Sequence, residues 1–304
     1  MNGSGLLLAV AVAAALEALV GEPPARIHPV ALLGRAVAPL GERSFSWPAL
    51  AGAVAAVGVP AAAAGVAYLT VAATAALGAA AAAVTAGLVL WTTTSLRLLL
   101  SSAADVIEAS DDDPAAAKAA LPALAGRDAA SLSPPLLRSA AVESLAENLS
   151  DGLVGPLSAF VALSFVSLPA AAAAAAAFKA VNTMDSMFGY PGRFGWASAR
   201  LDDLVMFVPA RLSAALLGPA AADPDAPVRA RRYADKPASP NAGWPMGTLA
   251  AALNVRLEKP DSYRLNELAS LPTTADGRRA LSATRRAGIA AYVSAALVGV
   301  VQWL

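Results

Sequence analysis

Residues 44–96 contain no charged side chain, and that run limits the fold more than any other feature of the chain. A helix crosses the hydrocarbon core of a bilayer in about 20 residues, so the run accommodates two spans. Residues 152–178 and 287–304 are also free of charge. Soluble domains are about one quarter charged, whereas this chain of 304 residues is 14% charged and 57% hydrophobic. A soluble fold could hide such runs only in a large helical core. Their alanines and glycines suit close helix packing in lipid instead.

The expected spans cover residues 5–20, 48–69, 71–91, 154–178, 204–222 and 287–304. The expected fold is all-α: a single-domain, polytopic integral membrane helical bundle over residues 1–304, with helical cytoplasmic loops. The N-terminus lacks the basic region of a secretory signal, so the first span reads as retained. Arg26, Arg35 and Arg43 follow that span, and Arg278, Arg279, Arg285 and Arg286 precede the last. Basic flanks favour the cytoplasm, which places both loops, and then residues 92–151, on that side. Residues 154–178 leave two readings open. A single crossing would put residues 179–203 outside. Folding back at Pro169 as two half-helices would keep them inside, and buried protein tolerates such a break at membrane depth. The fold-back is preferred.

Formal net charge is zero, which gives no reason to expect nucleic acid. With no cysteine and only His28, thiolate and multi-histidine metal sites are excluded. Any metal must be a hard cation on carboxylates. The phosphate-binding Gly-x-x-x-x-Gly-Lys-Ser/Thr loop, the Gly-x-Gly-x-x-Gly turn and the His-Glu-x-x-His pair are all absent.

Polar chemistry gathers in a few places. Glu143, Glu147 and Asp151 recur every four residues and would form an acidic stripe running into an apolar segment. Like charges at that spacing destabilise a helix by about 0.2–0.5 kcal/mol per pair, so a cation or arginine partners are expected. A solvated face is the plainer account. Asn182, Asp185, Arg193, Arg200, Asp202 and Asp203 make a second cluster suited to Mg²⁺ and phosphate, or to loop-anchoring salt bridges. Arg211 lies in an otherwise apolar stretch. A charge at membrane depth costs at least ~2.5–3.5 kcal/mol, so a partner is expected, and Asp202 or Asp203 is the nearest choice in sequence. Ser239 and Asn241 sit in a proline-rich turn that reads equally as structure, while Arg127-Asp128 is a weaker signal still. His28 suits a helix entry as well as a site.

Together these blocks resemble the CobD/CbiB family, the adenosylcobinamide-phosphate synthases. They are Gly21-Glu22-Pro23, His28-Pro29-Val30, Gly126-Arg127-Asp128, Glu143-Ser144-Leu145-Ala146-Glu147-Asn148-Leu149-Ser150-Asp151-Gly152, Asn182-Thr183-Met184-Asp185-Ser186, Ala199-Arg200-Leu201-Asp202-Asp203 and Ser239-Pro240-Asn241. Glu22 stands where that family usually has aspartate, and Met206 where asparagine is common. The resemblance implies ATP-dependent amide formation between a propionate of adenosylcobyric acid and aminopropanol or its phosphate, at the cytoplasmic face of the cell membrane. The corrinoid is the substrate, ATP the cosubstrate and Mg²⁺ the cofactor.

By the same resemblance, Glu143, Glu147, Asp151, Asp185, Asp202 and Asp203 would handle metal or amine, with Glu147, Asp151 and Asp185 as the metal set. Arg127, Arg193, Arg200 and Arg211 would hold phosphates, and Asn148, Asn182, Ser239, Asn241 and His28 would orient substrate. It leaves room for a homo-oligomer or a complex with other corrinoid-pathway enzymes. A transporter, or a noncatalytic sensor like the AmpE proteins, is the alternative, but neither explains polar signatures collected in cytoplasm-facing loops.

Overall fold

A computed structural model describes residues 3–126, 128–189 and 192–304, so Arg127 lies outside the described residues. The chain divides into two compact units.

The first unit takes in residues 1–95, 151–206 and 292–304. It opens with α1 (Gly3–Leu19) and α2 (Pro29–Glu42), followed by α3 (Pro48–Ala75) and α4 (Ala79–Thr93). The second unit, residues 96–150 and 207–291, carries α5 (Arg97–Asp112), α6 (Pro114–Ala120) and α7 (Pro134–Leu149). After a π-helical turn at Ser150–Val154 come α8 (Gly155–Ser164), α9 (Leu168–Phe188) and α10 (Trp196–Val205), all in the first unit. The second unit resumes with α11 (Phe207–Ala220), α12 (Ala226–Ala230), α13 (Gly243–Leu253) and a hairpin of β1 (Leu257–Lys259) and β2 (Tyr263–Leu265). The long α14 (Thr274–Trp303) gives residues 274–291 to the second unit and its last turns to the first. The fold is mainly helical, as expected. The hairpin departs from all-α, pairing Leu257 with Leu265 and Glu258 with Arg264 in antiparallel register.

Among the described residues, three helical stretches are long and apolar enough to cross a membrane: Pro48–Ala75, Ala79–Asp112 and Thr274–Trp303. That is fewer than the six expected spans. The boundary expected at Thr70 does not exist, because α3 runs through it. Thr70 Oγ1 donates to Val66 O at 2.7 Å, and Thr74 Oγ1 to Val71 O at 2.9 Å, so both hydroxyls are satisfied inside the helix. The break comes at Gly78, whose φ of +118° is open to glycine and strained for other residues. Residues 154–178 are not one helix either. They break at 165–167, where Ser167 Oγ caps α9 by accepting from Ala170 N at 3.2 Å, and Pro169 sits in its first turn. The expected span at 204–222 is likewise divided, into α10 and the 14-residue α11.

In the first unit α1 packs on α4, α3 and α4 on α9, and α8 against α9. Small residues permit this: a Cβ on Gly87 would come within 2.6 Å of Ala9 O. Val54, Val57, Val66 and Leu69 of α3 point outward and are exposed. In water that row would be a sticky patch; against lipid it is an ordinary outer face.

Candidate functional site

The first unit brings its charged residues together around α9. Lys179, Asn182 and Asp185 follow one another at three-residue intervals and so rise along one side of that helix. Helices α2 and α10 both pack against it. Lys179 Nζ donates to Asn182 Oδ1 at 3.3 Å, and Asn182 Nδ2 donates to Asp151 Oδ2 at 3.2 Å. Burial pushes the Lys179 ammonium below its ordinary range, against the opposing pull of Asp151, Glu22 and Asp202. Asn182 and Asp202 are buried. Burial also raises the Asp185 carboxyl above its usual range, and the nearby Asp203 carboxylate raises it further. His28 is buried at the start of α2, with Nε2 3.6 Å from Glu22 Oε2. Arg200 is exposed and tied to Asp203 at 3.1 Å, and Arg193 is exposed in the turn before α10. Phe194 anchors that turn by stacking on Phe45 at 5.3 Å between centroids.

The acidic motif does not form the uniform stripe that its spacing predicts. Glu143 is fully buried in the second unit, where Oε1 accepts from Ser139 Oγ at 2.9 Å and Oε2 from Tyr263 OH at 2.8 Å. Ser139 Oγ also accepts from Glu258 N at 2.7 Å, which links the carboxylate to the β-hairpin. Glu147 is half-buried on α7. Asn148 Nδ2 is spent on backbone, donating to Ser144 O at 3.1 Å and Leu124 O at 3.4 Å. Asp151 lies in the π-helical turn, whose extra residue moves it off the four-residue repeat.

Arg211 has partners other than the expected Asp202 and Asp203. Its Nη1 donates to Asn241 Oδ1 at 3.0 Å and Phe207 O at 2.7 Å. Its guanidinium lies 3.6 Å from the Phe207 ring centroid and 4.9 Å from that of Trp244. Ser239 Oγ accepts from Asn241 N at 3.3 Å, shaping the turn that presents Asn241.

Among the described residues, no group of three acidic or histidine side chains forms a metal-holding cluster. The expected set of Glu147, Asp151 and Asp185 is therefore not a preassembled all-protein cage. Mg²⁺ that arrives with phosphate oxygens needs only one or two carboxylates, and the neighbouring Asp185 and Asp203 fit that smaller demand.

Sequence reasoning missed Lys179, and Glu22 was noted only as a substitution. A signal for Lys179 was present: it is the first charge after residues 152–178, where the argument applied to Arg211 holds equally. Ser139 stands one helical turn before Glu143 on α7, so its contact is legible in the i,i+4 spacing, whereas Tyr263 meets Glu143 only through a tertiary contact.

Fold and site together define a mainly helical protein with helices able to cross a membrane and a buried network of charge. The chain belongs to the CobD/Cbib protein family, whose family model matches residues 10–293. It is 35% identical over 298 residues to a probable cobalamin biosynthesis protein CobD of Methanothrix thermoacetophila, covering 93% of each chain. It is 42% identical over 189 residues to cobalamin biosynthesis protein CobD of Rhodobacter capsulatus, covering 56% of each chain. It is 45% identical over 171 residues to the protein of that name from Mycobacterium tuberculosis, covering 53% of this chain and 52% of the relative. No solved structure matches.

Proposed function

We propose that this chain acts in cobalamin biosynthesis as an ATP-dependent, amide-forming membrane enzyme, joining aminopropanol or its phosphate to a propionate carboxylate of adenosylcobyric acid. The family match across residues 10–293 carries the reading. The Lys179–Asn182–Asp151 network supports it, because polar groups held this firmly in an apolar protein need a reason to be there.

A carboxylate is a poor acyl donor. Its oxygen attacks the γ-phosphorus of ATP, giving an acyl phosphate and ADP; the amine then attacks the carbonyl carbon and phosphate leaves, with one proton released from nitrogen. The protein contributes position and charge. Lys179 supplies a cation for phosphoryl oxygens, and Asn182 orients both Lys179 and Asp151. Asp151 and Asp202 offer carboxylates to the ammonium end of the aminoalcohol. Asp185 and Asp203 would hold Mg²⁺, which when bound neutralises phosphate charge. Arg211, gripped by Asn241 and laid over two rings, presents a fixed fork for a carboxylate or phosphate. Glu143 holds α7 to the hairpin and takes no part in the chemistry. The basic flanks of the first and last apolar helices support a cytoplasmic side for this chemistry.

The test is direct: purified protein, Mg-ATP, adenosylcobyric acid and each aminoalcohol, followed by mass analysis of the corrinoid. A mass gain of one amide-linked aminoalcohol, with ADP released in equal amount, is expected. An unmodified corrinoid with both amines sinks the reading.

A further inference from the structure

His28 is the chain's one histidine and stands directly before Pro29, the first residue of α2. Its side chain is 10% exposed. The Val30 backbone N–H reaches Nδ1 at 3.1 Å. A backbone amide can only donate, so Nδ1 must present a lone pair, and the proton of the neutral ring must sit on Nε2. Nε2 lies 3.6 Å from Glu22 Oε2, a close approach just longer than a hydrogen bond. Glu22 is in turn one of the carboxylates whose charge acts on Lys179. The charged groups acting on the imidazole are Glu22 and Lys179; burial and Lys179 hold the ring below its ordinary range while Glu22 opposes them. Both the cap and that direction favour the neutral ring.

We propose that His28 is a positioning residue: its Nδ1 caps α2 while its Nε2–H stands against the Glu22 carboxylate, whose charge acts on Lys179, and it acts on substrate only through Glu22. This rests on the reading that the Lys179 network is the reacting site. It replaces the expectation that His28 binds substrate itself. It also conflicts with a general-base role, because taking up a proton would place it on Nδ1 and cost the helix its cap.

One histidine makes the idea readable without an assay. Protein labelled with [¹⁵N]histidine shows a single imidazole by NMR. The Nε2–H tautomer is expected, with a titration midpoint below the ordinary histidine value, and Glu22→Gln should move the Nε2 resonance. An Nδ1–H tautomer, a titration midpoint at or above the ordinary histidine value, or an unmoved resonance overturns the proposal. Kinetics separate the two nitrogens, because asparagine mimics Nδ1 and glutamine mimics Nε2. His28→Asn should keep the wild-type melting temperature yet lose about 10–100-fold in kcat. His28→Gln should melt lower and keep kcat within about threefold per folded molecule. If kcat merely follows melting temperature in both variants, His28 is a cap alone and the proposal fails. A wild-type protein that forms no amide counts against the proposed reaction only, since the NMR readouts still decide His28.

Discussion

Glu143 and Asp151 belong to one acidic motif, yet the two units use them in opposite ways. Glu143 is sealed in the second unit, where two hydroxyls bond its oxygens and link α7 to the hairpin. Asp151 lies in a π-helical turn of the first unit, hydrogen-bonded to Asn182 and within the field of Lys179. A carboxylate held by neutral hydroxyls is suited to fixing two elements together. One that shares its surroundings with an ammonium and an amide is suited to meeting a charged ligand. Residues of one motif can therefore have different work, and burial with partner type separates them better than spacing does.

Asp151→Asn is the variant most able to break this contrast. It keeps size and removes charge, and amide formation should fall by on the order of 10²–10⁴-fold with little change in protein yield. Near-normal turnover at saturating Mg-ATP would end the assignment. Lys179→Met should cost on the order of 10²-fold in kcat/KM for ATP, while near-ultraviolet circular dichroism reports an intact fold. An equal loss with Lys179→Arg would sharpen the role from charge to geometry.

On the other side of the comparison, Glu143→Leu leaves the Ser139 and Tyr263 hydroxyls only weaker acceptors, Glu258 O at 3.4 Å and Met246 Sδ at 3.8 Å, and should lower stability by about 1–3 kcal/mol. Glu143→Gln, whose amide the two hydroxyls can rotate to meet, should retain most turnover. If Glu143→Gln instead fails like Asp151→Asn while melting normally, the two carboxylates work alike and the contrast is wrong. Arg211→Lys gives up the planar fork and the best of the ring contacts, worth about 1 kcal/mol in thermal unfolding. The smallest effect belongs to Arg264→Ala. Its pairing with Glu258 is exposed on the arginine side, so stability should move by no more than ~0.5 kcal/mol. A larger shift would mean that the hairpin's surface charges help to hold the buried Glu143.

Helical character, a protein with stretches able to cross a membrane, and the residues that mark the family were all legible in the chain. Charge-free runs, small-residue helices and short polar blocks are local properties, and local properties survive in one dimension. Arg211 was recognisable as costly, but not the partners that satisfy it: Asn241 is 30 positions away, and the Trp244 ring meets the guanidinium only after folding. Likewise the expected boundary between spans 48–69 and 71–91 is not at Thr70, whose hydroxyl the helix's own carbonyl accepts; the turn falls at Gly78. Lys179 is marked in the sequence as the first charge after an uncharged run, but its state is decided only when α9 is packed, by burial and three neighbouring carboxylates. Sequence by itself determined which segments avoid water. Tertiary structure alone decided which buried charges meet, because desolvation and Coulomb energy depend on distances that no pattern of spacing specifies.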